Sequence, residues 1–253
     1  MHAKRNCLRI LIISDIHANL EALEACLKAA PEHDRVFNLG DLVGYGANPN
    51  EVTERARALG EVFVRGNHDK ACTGLMSLDD FNPVAARAAL WTRERLSEDN
   101  MNFLRGLPQG PVAPLKDLQC VHGSPRDEDE YVLTGREAYS ILERTAPQLT
   151  FFGHTHVQGG FIWNQSRVET ILRPSSGSDY EFLDIDPECA YLINPGSVGQ
   201  PRDGDPRAGY VIYDSEDRRV KYCRVVYDVA GAQKKIHDVG LPQILADRLS
   251  VGR

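Results

Sequence analysis

The sequence predicts an α/β chain in which two β-sheets pack face to face with helices outside. Two features carry this reading. The first half alternates apolar β-type runs with helical periodicities, and the half after Phe152 is rich in strands joined by turns. A third feature places a function on that frame, because the apolar runs up to Phe152 end in metal-binding side chains. In open α/β sheets, ligands bind where loops leave the carboxyl ends of the strands. The tips therefore predict one shared metal centre.

The elements follow in order. Ile10 to Ile13 form a strand that ends in Asp15-Ile16-His17, and Asn19 then precedes a helical stripe of Leu20, Leu23, Leu27 and Ala30. Val36, Phe37 and Leu39 lead into Gly40-Asp41, and Pro49 opens a helix carrying Val52, Ala56 and Leu59. Val62 to Val64 lead into Gly66-Asn67-His68-Asp69. A helical stretch from about Pro83 to Leu107 has a break near Ser97, and Pro108 to Pro114 reads as a connecting loop. Leu118 to Val121 precede His122-Gly123, and Leu149 to Phe152 precede Gly153-His154-Thr155-His156. Between them, Thr134 and Glu137 make a capping box before Ala138, Ile141 and Leu142. Phe161 to Trp163, Val168 to Leu172, Ala190 to Ile193, Tyr210 to Tyr213 and Val220 to Tyr227 read as strands. Arg173 to Asp179 is a Ser/Gly-rich loop, and a short helix around Pro242 to Leu249 closes the chain.

Composition bounds the function. At 253 residues, 42% hydrophobic and 26% charged, the chain is read as one domain over residues 1–253. A net charge of -7 argues against tight binding to duplex nucleic acid, although a metal centre would supply its own positive field to a small anionic substrate. Cys7, Cys26, Cys72, Cys120, Cys189 and Cys223 form no C-x-x-C and read as reduced thiols. Leu8 to Ile13 is too short for a signal peptide or a membrane span, so a cytoplasmic location is the expectation. The sequence sets no oligomeric state.

Of the eight histidines, His17, His68, His122, His154 and His156 lie in the motifs, while His2, His33 and His237 read as structural or solvent-facing. Alternate residues on an extended segment share a side, so Asp15 and His17 can face one cation, and so can His154 and His156. Asp41 has two oxygens and can bridge two ions; Asn67 offers an amide oxygen and His122 another imidazole. Mixed N and O ligands suit Mn, Fe, Zn or Ni rather than a structural zinc knot. Two divalent ions, two aspartates and a hydroxide leave a net positive site that attracts phosphate.

The motifs resemble the calcineurin-like metallophosphoesterase superfamily, whose order is D-x-H, G-D, G-N-H-D, H and G-H-x-H. Asn194-Pro195-Gly196-Ser197 and the segment Gly40 to Gly46 are similar to its compact bacterial phosphodiesterase-like branch. The resemblance covers about residues 8 to 227. It implies a four-layer α/β/β/α sandwich of two mixed sheets flanked by helices. It also implies that Asp15, His17 and His156 hold one transition-metal ion, Asn67, His122 and His154 the second, and Asp41 bridges. A bridging hydroxide would attack phosphorus, with His68 assisting the leaving oxygen as proton donor or charge stabiliser. In the phosphoprotein phosphatase branch, an Asp stands at the position of Gly44 and a phosphate-binding Arg at that of Tyr45. Neither is present here, which argues against a phosphoserine or phosphothreonine protein phosphatase, and the missing Arg favours a diester over a monoester.

Some residues keep two readings. Arg202 grips phosphate or pairs with Asp203 or Asp205 in a turn. Asp69 orients a catalytic neighbour or sits in a solvated loop. Asp127 to Glu130 reads as a solvated acidic loop, with a lid role open. Phosphoester hydrolysis of a small substrate is the expected function. The rivals are a nuclease, which lacks a basic stripe here, and an interaction scaffold such as the retromer subunit of this fold, which lacks the catalytic His that His68 supplies.

Overall fold

The computed structural model of the chain describes residues 8–79, 81–144, 148–174 and 178–253. In chain order the elements begin with β1 (Arg9–Ile13), α1 (Leu20–Ala29), β2 (Arg35–Asn38), α2 (Pro49–Leu59), β3 (Val62–Phe63) and α3 (Asn67–Thr73). There follow α4 (Pro83–Arg95), α5 (Glu98–Arg105), β4 (Val112–Leu115), β5 (Leu118–Cys120), α6 (Gly135–Leu142) and β6 (Leu149–Phe151). The chain continues through β7 (Gly159–Trp163), β8 (Val168–Ile171), β9 (Tyr180–Asp184), β10 (Ala190–Asn194), β11 (Ala208–Asp214) and β12 (Arg219–Val225). It ends in α7 (Val229–Asp238), α8 (Gln243–Asp247) and a 3₁₀ turn at Arg248–Ser250.

The strands form two mixed six-stranded sheets, ordered β3-β2-β1-β11-β12-β9 and β4-β5-β6-β10-β7-β8. β1 pairs parallel with β2 and antiparallel with β11; β6 lies parallel to both β5 and β10. The period of two in β1 divides its side chains between two cores. Ile10 and Ile12 enter the space between the sheets with Phe37, Phe151, Tyr191 and Tyr213, whereas Leu11 and Ile13 pack against Leu23 and Cys26 of α1. Each such side chain contributes about 1.5–3 kcal/mol by leaving water. On the outer face of the second sheet, Ala138, Ile141 and Leu142 of α6 cover Phe161 and Leu192. The layers are α/β/β/α.

Most expected elements are present, and the helical break falls at Ser97, which caps α5 by accepting from the Asn100 N–H at 3.3 Å. Four elements depart from expectation. β4 overlaps the end of the stretch read as a connecting loop and is only partly buried, and β9 has exposed residues on both faces, so neither carries an alternating burial pattern. α3 is built from motif residues after Gly66. α7 follows the last strand in a stretch where the sequence reading placed no element; the Asp228 side chain accepts from the Gly231 N–H and caps the helix there. Cys7 lies outside the described residues; Cys26, Cys72, Cys120, Cys189 and Cys223 are free thiols. Among the described residues no helix is long and apolar enough to cross a membrane.

Candidate metal centre

The loops leaving β1, β2, β5 and β6 and the N-terminus of α3 converge at one end of the sandwich. Donor atoms of Asp15, His17, Asp41 and His156 lie within 4.8 Å of one another, and so do those of Asp41, His122 and His154. Asn67 joins the second group, its Oδ1 3.3 Å from His122 Nε2. The clusters share Asp41, and the aspartates and histidines in both are buried.

The backbone reaches this arrangement by left-handed turns rather than by extended segments. Asp15, His17, Asp41, His154 and His156 all have φ between 49° and 65°. Such conformations are costly for residues with a Cβ and persist where surrounding structure fixes them. The extended-segment reading of His154 and His156 is therefore corrected. Those two rings enter different clusters, as the family resemblance implies. The turns are held by the Asp15 N–H donating to Gly40 O (3.0 Å) and the His17 N–H to Asp41 O (3.0 Å). Gly40 has φ +97°, and a Cβ there would lie 2.6 Å from the Gly66 nitrogen, so only glycine lets the two loops meet.

The imidazoles are oriented by backbone carbonyls. Nδ1 of His17, His122 and His156 faces Val43 O (3.2 Å), Leu39 O (2.8 Å) and Gln200 O (2.6 Å) respectively. A carbonyl only accepts, so each Nδ1 carries a proton and, in the neutral ring, Nε2 presents its lone pair to the cluster. His154 is turned the other way, with Nε2 donating to Asp129 O at 3.1 Å and Nδ1 left for the cluster. Burial holds His17, His154 and His156 below the ordinary imidazole value and so keeps them neutral, the form a metal requires. For His122, burial is opposed and outweighed by Asp41, which raises it to about 10, so its Nε2 lone pair is freed only when a metal ion displaces the second proton.

Asp41 sits at the centre. Its Oδ1 accepts from the His68 N–H at 2.8 Å. Its Oδ2 is buried without a hydrogen-bond partner and lies 3.5 Å from both His17 Nε2 and His122 Nε2. A buried, unpartnered carboxylate oxygen is costly. Cations in the two clusters would satisfy it, so the residues present fit a pair of metal ions.

Asp69 resolves in favour of orientation. Its carboxylate accepts from the amides of Asp41 (2.8 Å), Leu42 (2.9 Å), Val43 (3.3 Å) and Gly66 (2.9 Å), clamping the Gly40-Asp41 loop to the start of α3. Asn194 and Ser197 act likewise. The Asn194 amide donates to Gly153 O (2.9 Å), and the Ser197 hydroxyl to Asp15 O (2.7 Å). Sequence reading gave this loop only a family likeness and missed the props.

His68 lies against Tyr45, with ring centroids 4.3 Å apart, and edge-on to Phe81 at 5.2 Å. A Cβ on Gly44 would stand 2.6 Å from His68 Nδ1, and that nitrogen is buried without a partner. There is no space for the supporting carboxylate of the phosphoprotein phosphatases. His68 opens onto a cleft of about 480 Å³ lined also by Asn67, Phe81, Asp129 and Tyr131. Tyr131 was missed by sequence; it stacks on His154 at 3.9 Å. The acidic segment before it is not freely solvated. Lys70 Nζ binds Glu128 (2.8 Å) and Asp129 (2.6 Å), and Arg65 binds Glu128 (2.9 Å), so the segment is strapped beside the site. Arg202 pairs with neither Asp203 nor Asp205. Those carboxylates meet Arg224 and Arg207, while Arg202 Nη2 donates to Tyr45 Oη at 3.4 Å.

The calcineurin-like phosphoesterase superfamily domain matches residues 8–218. The chain belongs to that superfamily. It is 40% identical over 250 residues to an uncharacterized protein of Methanocaldococcus jannaschii, spanning 96% of this chain and 98% of that protein. A metallophosphoesterase from Sphaerobacter thermophilus superposes with a TM-score of 0.86 at 43% identity, over 98% of this chain and 100% of that one. A symmetrical bis(5'-nucleosyl)-tetraphosphatase from Glaesserella parasuis serovar 5 is 28% identical over 141 residues, 52% of each protein. The superfamily is one of hydrolytic phosphoesterases with a dinuclear metal centre, and this chain carries clusters of side chains that could bind such ions.

Proposed function

We propose that the chain hydrolyses phosphodiester or related phosphoester bonds of a small substrate. One ion would be held by Asp15, His17, Asp41 and His156, and the other by Asp41, Asn67, His122 and His154. The observation that carries the reading is Asp41 Oδ2, buried without a hydrogen bond and equidistant at 3.5 Å from a histidine of each cluster. Transition-metal ions such as Mn, Fe, Zn or Ni bound there would supply a hydroxide nucleophile at neutral pH and neutralise phosphoryl oxygens.

The chain's own residues do the rest. The cleft beside Tyr45 and Phe81 receives the leaving group next to His68, whose imidazole stabilises or protonates the departing oxygen. Asp41 Oδ1 on the His68 amide fixes that residue relative to the bridge. Arg202 brings to Tyr45 the guanidinium that the Tyr45 position itself lacks, and so contacts a phosphoryl oxygen. The likeness to the bis(5'-nucleosyl)-tetraphosphatase supports a diester-type substrate.

Metal analysis of protein purified without chelator, together with rates on bis(p-nitrophenyl) phosphate and p-nitrophenyl phosphate, tests the proposal. Metal approaching two ions per chain and faster diester turnover are expected. A chain that neither binds nor responds to Mn, Fe, Ni or Zn would overturn it.

A further inference from the structure

The segment after the family match brings a second guanidinium to the site. Arg202 Nη2 and Arg248 Nη1 both donate to one neutral oxygen, Gln200 Oε1, at 3.2 and 3.3 Å. Among the described residues neither guanidinium is paired with a carboxylate, since Asp203 is taken by Arg173 and Arg224 and Asp205 by Arg207. Arg248 is half-buried, and its Nε is buried without a hydrogen-bond partner. Two cations converging on a single neutral acceptor repel each other, and a buried donor without an acceptor is costly. An anion relieves both.

The pair is fixed to the metal-site backbone. Gln200 O accepts from His156 Nδ1 at 2.6 Å, and the Arg202 amide donates to His156 O at 3.1 Å. Burial and the neighbouring Arg202 both disfavour the charge of Arg248. A phosphoryl group linked to the one attacked would offer oxygens to both guanidinium groups in place of the single Gln200 oxygen they now share. Guanidinium forks match phosphate oxygens.

We propose that Arg202 and Arg248 form a cradle for a second phosphoryl group of the same substrate, so that preferred substrates contain a phosphoanhydride. This rests on the phosphoesterase reading above. Arg202 reaches the phosphoryl group attacked as well as its neighbour, whereas Arg248 holds the charge of the neighbour alone and takes no part in bond breaking.

The test titrates metal-loaded protein calorimetrically with pyrophosphate and with orthophosphate at a fixed free Mn concentration. Pyrophosphate binds more tightly to the native protein. Arg248→Met removes about tenfold of that advantage, the worth of one charge-assisted hydrogen bond, and Arg248→Lys removes less. Gln200→Glu, which fills the cradle with a carboxylate, has the same effect by another route and serves if Arg248→Met does not fold. The ratio of kcat/KM for diadenosine tetraphosphate to that for bis(p-nitrophenyl) phosphate falls in parallel. Equal weakening of both anions, or of neither, in Arg248→Met and Gln200→Glu overturns the cradle. Absence of hydrolysis of every ester defeats the phosphoesterase reading instead, and the binding comparison still decides the cradle.

Discussion

The Nε2 atoms of His17 and His156 face each other at 3.1 Å, and both rings have their Nδ1 protons on backbone carbonyls. With both imidazoles neutral, two lone pairs meet where neither can donate. The contact is repulsive until a cation is shared between them. Metal binding should therefore stabilise the fold as well as equip it. At a free metal concentration 100 times Kd, one site contributes about 2.7 kcal/mol, or roughly 5–10 °C in Tm for a chain of this size. Thermal unfolding with Mn, Zn or a chelator measures this. A Tm that ignores metal argues that the lone pairs are satisfied some other way.

Asp41→Asn should be more damaging than Asn67→Ala. The carboxylate contributes to both clusters and balances their charge, whereas Asn67 reaches only the second through His122. Metal content in Asp41→Asn should fall below one ion per chain. Turnover should drop beyond the roughly 10–100-fold typical of supporting residues. Full occupancy and rate in this variant would remove Asp41 from the bridging role.

Much of this was readable from sequence because the chemistry is local. Strand tips such as Asp15-Ile16-His17 announce both a strand end and its ligands, and α6 is declared by its capping box, with Glu137 accepting from the Thr134 amide at 2.9 Å. What was hidden depends on distant partners. The family resemblance implied the division of His154 and His156 between clusters, but residue alternation missed it, because it follows from left-handed turns that alternation does not register. Lys70 and Glu128 look like ordinary surface charges until the fold sets them 2.8 Å apart. Tyr131 and Arg248 lie in no motif, and only the tertiary structure carries them to His154 and Gln200.

Acid should destabilise the metal-free protein. Burial lowers His17 and His156 well below the ordinary value, His68 to about 4 and His154 to about 3. Below about pH 6.5 the unfolded chain takes up protons on these rings that the folded chain refuses, so stability falls as pH falls. Burial also raises Asp15 and Asp69 to about 7, which works in the opposite sense because the folded form keeps protons the unfolded chain releases. Between about pH 6.5 and 4 the histidines outnumber these aspartates, and the net slope is a loss. His122, raised to about 10, adds stability below pH 6.5 that is lost as pH climbs through 10. A Tm that stays level or rises from pH 6.5 to 4 would contradict the buried neutral rings.

His68→Ala should separate binding from chemistry. The ring lies tilted against Tyr45, edge-on to Phe81 and perpendicular to the His17 ring, while only its backbone amide touches the proposed bridge, through Asp41 Oδ1. Removing the imidazole therefore leaves the ligand set intact, and metal content should stay at the level of the native protein. Turnover should nevertheless fall by roughly 10²–10⁴, the usual span for positioned acid–base help. The leaving group distinguishes the two ways His68 can act. A nitrophenolate departs with little protonation, whereas an alkoxide needs a proton, so a donor role predicts a larger loss on alkyl esters. Equal losses on both ester types would assign His68 to charge stabilisation, and an unchanged rate would take it out of the reaction.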